Sequence, residues 1–413
     1  MGPIALFDKS FIQAISVDES VWFGHFFYPI ICPIFYVETL ADLAKTPKSG
    51  MPSPETIVER IAHKFPDTSG SPCAFHLNMS LANLLGSRIP MRRGIPLDRG
   101  KLVKNDGKSG IVHEVTPEND AFHRWLKGDF HEVERLYAKN WRIQLSNLDL
   151  NNTANELQRL GVNTKSCKTH ADAKAFAENI IHGKDKIFER MHLVCILLRI
   201  PDSYMHEILY RWNSLGNMAL NSYAPYAAYV ATIELFFHIL IASKLESGER
   251  NSHLMDMAYL NYLPFCDFFV SQDKLHARCA PLFLRDNQLF IYGTELKEGL
   301  KQIDRHFDKF TTEEKEKGIT SFAKTPPKEE GFFVSNVWDN YFPEWRFRRT
   351  IKEDDLNPKM LDEIKSMVNA KPIPREKIDF DPQNPDTLTI HRLVQKKRGK
   401  WYQLPKDFNP KKN

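Results

Sequence analysis

The sequence predicts an α/β protein: a doubly wound α/β/α sandwich on a central parallel sheet, with a large helical insertion and an irregular basic C-terminal extension. Two short runs, PIALF at 3–7 and FFV at 268–270, are apolar without alternation. Such strands belong to sheets covered on both faces. Between the apolar runs lie segments with apolar residues at helical spacing, and strands separated by helices build parallel sheets. Each apolar run is followed closely by an acid, Asp8 in one case and Asp273 in the other. Acids placed this way stand at the carboxyl ends of their strands.

Bulk properties set the frame. The chain has 413 residues, 42% hydrophobic and 26% charged, which is ordinary for a globular protein but longer than a usual single domain. A net charge of +4 neither demands nor excludes nucleic acid, so any basic surface must come from local clustering. The cysteines at 32, 73, 167, 195, 266 and 279 show no CxxC and no zinc-site spacing, which suits reduced thiols in a cytoplasmic protein. The opening residues lack a basic leader and a long apolar run. The apolar stretch 223–242 carries Pro225, Glu234 and His238, so it reads as a buried core helix and no membrane partner is expected.

In chain order, residues 3–7 form a strand and 11–15 a short helix. An apolar run, 28–35, leads into a helix at 36–45. There Val37, Leu40, Ala41 and Ala44 share the apolar face, while Glu38 and Asp42, four residues apart, share another. Residues 46–110 are rich in Pro, Gly and Ser. Within them, 88–108 holds seven Lys or Arg against two Asp and reads as a basic loop or small hairpin. Helical patterns fill 119–246. A helix at 253–263, the strand ending at 270, a strand at 288–292 and a helix at 296–310 follow. Beyond 311 the prolines and charges suggest linkers around an aromatic–basic stretch, 337–349, and a tail in which the last 23 residues carry eight Lys or Arg against one Asp. The expected organisation is a core in two parts, 1–46 and 251–310. A basic loop and helical insertion with some core elements, 47–250, separates them, and the extension is 311–413.

Four acids carry the chemistry: Asp8 and Asp273 at strand ends, Glu38 and Asp256 on helices. In a parallel sheet the carboxyl ends of neighbouring strands converge on one crevice. Crowded carboxylates repel one another unless cations neutralise them, and hard divalent cations prefer oxygen ligands. A cluster of this kind activates a metal-bound water against a phosphodiester and stabilises the leaving oxygen.

The segments Asp8-Lys9-Ser10, Val37-Glu38-Thr39-Leu40, Met255-Asp256-Met257 and Ser271-Gln272-Asp273, in this order, resemble the PIN-domain (PilT N-terminus) nucleases. The likeness covers about residues 3–46 and 253–295; roughly 200 residues between Glu38 and Asp256 depart from the compact form of that family. It implies metal-dependent cleavage of single-stranded RNA with Mg²⁺ or Mn²⁺ on Asp8, Glu38, Asp256 and Asp273, in the setting of a toxin or defence effector. It also implies that Ser10 and Ser271 orient acids or phosphate. Asp267, just before the last matched strand, reads as structural, with an auxiliary acid as the alternative; Lys274 reads as a phosphate contact or as a solvated lysine. A homo-oligomer or a protein regulator is an expected partner beside RNA.

Two other readings stand beside this one. A strand-ending Asp serves as nucleophile in haloacid-dehalogenase-like phosphatases, although the second Asp of their D-x-D is Ser10 here. Alternatively the acids are structural, and the basic and aromatic segments bind RNA or protein. His238, His253 and His276 read as ordinary core or surface histidines. Asp42 reads as structural, and Glu234 as a buried acid with a basic partner. Trp338, Tyr341, Phe342 and Trp345 read as a packing anchor.

Overall fold

A computed structural model describes residues 2–47, 49–65, 73–94, 96, 101–105, 108–112, 116–152, 164–183, 185–347, 366, 370–371 and 395–407. The strands begin with β1 (Ile4–Phe7) and β2 (Tyr28–Ile30). A separate antiparallel hairpin of β3 (Lys101–Asn105) and β4 (Lys108–Val112) follows, and then come β5 (Phe268–Ser271) and β6 (Leu289–Tyr292). The hairpin falls within the basic segment expected at 88–108 and extends past it.

β1, β2, β5 and β6 form one parallel sheet in the order β2-β1-β5-β6. Every residue of β1 and β5 is buried, so both faces of the sheet centre are covered, which is why these runs are apolar without alternation. The edge strand β6 instead exposes Leu289 and Tyr292 and buries Ile291. From β1 the chain passes to β2 on one side; from β5 it passes to β6 on the other. The winding therefore reverses between β1 and β5, and the carboxyl ends of strands at such a switch point open a crevice. Phe7 pairs with Val270, so Asp8 and Ser271 come next to one another just beyond the paired register.

The helices around this crevice begin and end where local chemistry dictates. Asp8 caps helix Lys9–Ala14 by accepting from Phe11 N. Pro33 sits in the first turn of helix Pro33–Ala41, where its missing N–H costs nothing, and the helix tightens into a 3₁₀ turn over Asp42–Ala44. The helix expected at 253–263 is α-helical only over His253–Ala258. It continues as a 3₁₀ stretch, Tyr259–Phe265, that contains Pro264 and is buried throughout. The helix expected at 296–310 is Gly293–Asp308.

Helix Pro225–Ala242 packs against helices His170–His182 and His76–Leu84. Its first N–H groups, on Tyr226 and Ala227, donate to the Asn83 side chain at 3.0 and 3.2 Å. Among the described residues it is the one helix long and apolar enough to cross a membrane, and in this fold it is mostly buried. Tyr226 and Tyr229 donate from this helix to the carbonyls of Asn261 and Leu260, tying the helical insertion to the residues that precede β5.

The extension is held by aromatic anchors. Trp338 Nε1 donates to the Phe26 carbonyl, and Trp345 is buried with Nε1 on Asp339. A small hairpin of β7 (Lys397–Arg398) and β8 (Trp401–Tyr402) docks on helices Val17–Phe26 and Gly293–Asp308. Trp401 is fully buried. Its Nε1 and that of Trp22 both donate to Asp304 Oδ1, at 2.7 and 3.1 Å. The buried Arg398 donates to Ser20 Oγ and the His63 carbonyl. Part of the basic tail is thus structural. Arg348 and Arg349 and residues 408–413 lie outside the described residues.

Candidate functional site

Asp8 lies at the base of the crevice, 4% exposed. Ser10 Oγ lies 2.8 and 2.7 Å from its two oxygens, Phe11 N donates to Oδ1 at 3.0 Å, and Ser271 Oγ donates to Oδ2 at 2.8 Å. Ser10 and Ser271 therefore orient Asp8. Ser10 Oγ also accepts from Gln272 N, and Ser271 Oγ from Asp273 N, which ties the ends of β1 and β5 together.

Beside Asp8 stands His276, wholly buried, a residue that the sequence reading treated as ordinary. Its Nε2 is 2.7 Å from the Asp256 backbone carbonyl, which can only accept, so Nε2 carries a proton. Its Nδ1 is 2.8 Å from Ser271 Oγ and 3.3 Å from Asp8 Oδ2. With the Ser271 hydroxyl proton directed at Asp8, Nδ1 must donate too, and the ring is an imidazolium. Burial works to lower the His276 pKa, but the hydrogen bond and charge of Asp8, with the charge of Asp256, raise it to about 9. Burial likewise works to raise Asp8, but the hydrogen bond and charge of His276, aided by Ser10 and Ser271, hold it below the usual carboxylate range.

The other acids surround this pair. Glu38 is half-buried; Tyr259 Oη donates to its Oε2 at 2.5 Å, and its Oε1 has no partner among the described residues. Burial raises the Glu38 carboxyl, against the pull of Lys9 and Tyr259. Asp256 is half-buried, and its carboxylate accepts no hydrogen bond from a described residue. Burial pushes it up to about 7, with Glu38, Asp273 and Asp8 adding to the rise and His276 opposing it. Asp273 caps helix Lys274–Cys279 through Oδ1, which accepts from Leu275 N at 2.6 Å, leaving Oδ2 open. All four expected acids thus lie in one another's electric field at the carboxyl ends of β1 and β5.

Some expected site residues lie elsewhere or do other work. Asp267 is not in the crevice. It precedes β5, at the opposite end of the strands, where its Oδ2 accepts from Ile4 N and Arg93 Nε. A strand length separates it from Asp273, so an auxiliary role there is ruled out by topology. Lys274 is exposed at the start of its helix, next to Asp273. Asp42 is structural: its Oδ1 meets Lys9 and Lys45 at 3.1 and 2.7 Å. Lys9 also donates to the Glu38 carbonyl, which fixes the helix that carries Glu38. Glu234 is raised by its burial, against the opposing charge of Arg199. The signals that sequence reasoning missed are His276, three residues beyond Asp273 on the same short helix, and Tyr259, three beyond Asp256. Each lies one helical turn from a chosen acid.

No family model, curated protein or solved structure matches the chain.

The oxygens left open are of the kind a hard divalent cation takes. Both oxygens of Asp256, one of Glu38 and one of Asp273 have no donor among the described residues, and the rise at Asp256 is the kind that a cation relieves. Asp8 is different, because both its oxygens are already engaged and its charge is met by His276. Engagement of this kind also leaves Asp8 poorly placed as the nucleophile of a phosphatase. Among the described residues no three His, Cys, Asp or Glu side chains already stand in a metal-binding arrangement.

Proposed function

We propose that this chain is a metal-dependent endonuclease that hydrolyses phosphodiester bonds of single-stranded RNA in a PIN-like α/β/α sandwich. The observation that carries the reading is the meeting of four acids from four distant segments around the switch point of a parallel sheet, with Asp256 pushed to about 7 by burial and by the other three. A cation relieves such crowding, and acids perturbed in this way gather at functional sites. Asp256, Glu38 and Asp273 would hold Mg²⁺ or Mn²⁺ through their open oxygens, with Asp8 behind them. When bound, such an ion polarises a phosphodiester oxygen and lowers the pKa of its bound water.

The chain's own residues supply the rest. His276 holds Asp8 in place and balances its charge. Ser10 and Ser271 fix the orientation of the Asp8 carboxylate and bind the ends of β1 and β5 together. Tyr259 keeps one Glu38 oxygen engaged and leaves the other open. Lys274, exposed at its edge, offers a cation to an incoming phosphate.

Incubation with a labelled single-stranded RNA tests the reading. Cleavage is expected with Mg²⁺ or Mn²⁺ and is lost in EDTA. Turnover of a small phosphate ester without RNA cleavage would favour the phosphatase reading. RNA binding that survives both EDTA and Asp8→Asn, without cleavage, would favour a binding module.

A further inference from the structure

At the end of the sheet opposite the acids, a cavity of about 410 Å³ opens beside Arg93, Asp267, Asp286, Asn287, Asn340 and Tyr341. Its size lies within the roughly 300–1,000 Å³ typical of small-molecule sites. Asp267 forms part of its wall and is 6% exposed. Both donors to this carboxylate, Ile4 N at 2.7 Å and Arg93 Nε at 2.8 Å, fall on Oδ2; Oδ1 has no partner among the described residues. The Arg93 guanidinium lies over the Phe342 ring at 5.1 Å, and its two terminal nitrogens have no hydrogen-bond partner among the described residues. Tyr341 is locked into the wall by its hydroxyl, which donates to the Asp267 carbonyl at 2.7 Å. Asp286 and Asn287 stand exposed on the turn before β6, and Asn340 near the end of helix Phe333–Tyr341.

The wall therefore sets two carboxylates, which only accept, beside one guanidinium, which only donates, with amides that do either. A ligand that answers this carries N–H donors for the carboxylates and a carbonyl acceptor for the guanidinium. The net charge of the two acids and one arginine disfavours an anionic group inside. Of the common nucleobases, guanine alone presents two N–H donors beside a carbonyl; adenine and cytosine offer one amino group beside ring acceptors, and uracil one N–H between carbonyls. We propose that this cavity binds a guanine base through Asp267, Asp286 and Arg93. Asp267 Oδ1 and the two terminal nitrogens of Arg93, on a side chain 46% exposed, are open to a ligand at the cavity wall. The inference stands apart from the nuclease reading, because the site lies a strand length from the acids.

Calorimetric titration of the full chain in EDTA with guanosine, inosine and adenosine tests it, since EDTA removes any contribution from the acid crevice. Guanosine is expected to bind tightest. Inosine, which lacks the exocyclic amine, should bind about tenfold weaker or worse, and adenosine should bind weakest. Asp267→Asn removes the partner of Ile4 N and Arg93, so the decisive variants are Asp286→Asn, on an exposed residue, and Arg93→Lys, which keeps the charge opposite Asp267 but loses the guanidinium fork. Each should weaken guanosine by about tenfold while leaving the circular dichroism unchanged. Absence of guanosine binding, equal affinity for the three nucleosides, or wild-type affinity in both folded variants would overturn the proposal. A single-stranded RNA with one guanine distinguishes the sources. If it displaces bound guanosine, the base belongs to a strand; if it does not, the ligand is the free nucleoside.

Discussion

Asp8 and Asp256 bring the same charge into one crevice, but in different company. Asp8 is paired with His276 and accepts bonds from Ser10, Phe11 and Ser271. Asp8→Asn removes the charge that holds the His276 proton against burial, together with the ion pair, and should cost about 3 kcal/mol in urea unfolding. The Asp256 carboxylate has no donor among the described residues and is ionised only against resistance. Asp256→Asn should therefore stabilise the metal-free protein above pH 7, by on the order of 1 kcal/mol, while removing cleavage. Asp273→Asn is the cleaner test of chemistry, because Asn caps a helix as well as Asp does. It should keep the melting temperature and lower the cleavage rate by about a hundredfold or more. An active Asp273→Asn enzyme would remove this residue from the site.

The same groups set the pH response. The raised pKa of His276, about 9 against an ordinary 6.5, means that its contribution to stability is complete below pH 6.5 and is lost as pH rises through 9. The lowered pKa of Asp8 means that its contribution is present above the ordinary 3.8 and is lost as pH falls through its own, lower value. Asp256 runs the other way for an acid: its cost grows between pH 3.8 and about 7. Melting temperatures should fall between pH 6.5 and 9 in the wild type, and His276→Gln should flatten that limb. Metal affinity should rise with pH up to about 7 and then level, as Asp256 ionises.

At the scale of elements, β1 and β5 were legible because burial on both faces leaves an unbroken apolar run with an acid following. Helix ends were less so. The stretch after Ala258 follows a helical pattern but coils more tightly, a change that packing of Tyr259 and Tyr262 decides and local spacing does not. His276 escaped notice because a lone histidine carries no sequence mark; only the fold sets it against Asp8. The hairpin around Trp401 was read as a basic tail, since its partners, Trp22 and Asp304, are far away in the chain. That contact makes a prediction: Trp401→Ala should destabilise by about 3–5 kcal/mol, and deletion from residue 395 should lower the melting temperature similarly. Cleavage per folded molecule should change little, measured below the new transition. A truncated protein with wild-type stability would deny the hairpin its anchoring role.

At the scale of the whole molecule, roughly 200 residues intervene between Glu38 and Asp256, yet the helices among them pack into the apolar core that also holds the sheet. The order of the acids and their secondary structure could be read from the sequence. Which of their oxygens stay open could not, because that depends on donors such as Tyr259 and Leu275 reaching them across the fold. Asp267 has contacts that suit the structural role the sequence favours for it, accepting from Ile4 N and Arg93 at the other end of β5. The account rests on the open oxygens of Asp256, Glu38 and Asp273 sharing one ion. Anomalous diffraction from a crystal soaked in Mn²⁺ tests this most directly. A manganese peak within coordinating distance of Asp256 and at least one of Glu38 and Asp273 is the expected result; an empty crevice at saturating Mn²⁺, or a peak held only by other residues, would contradict it.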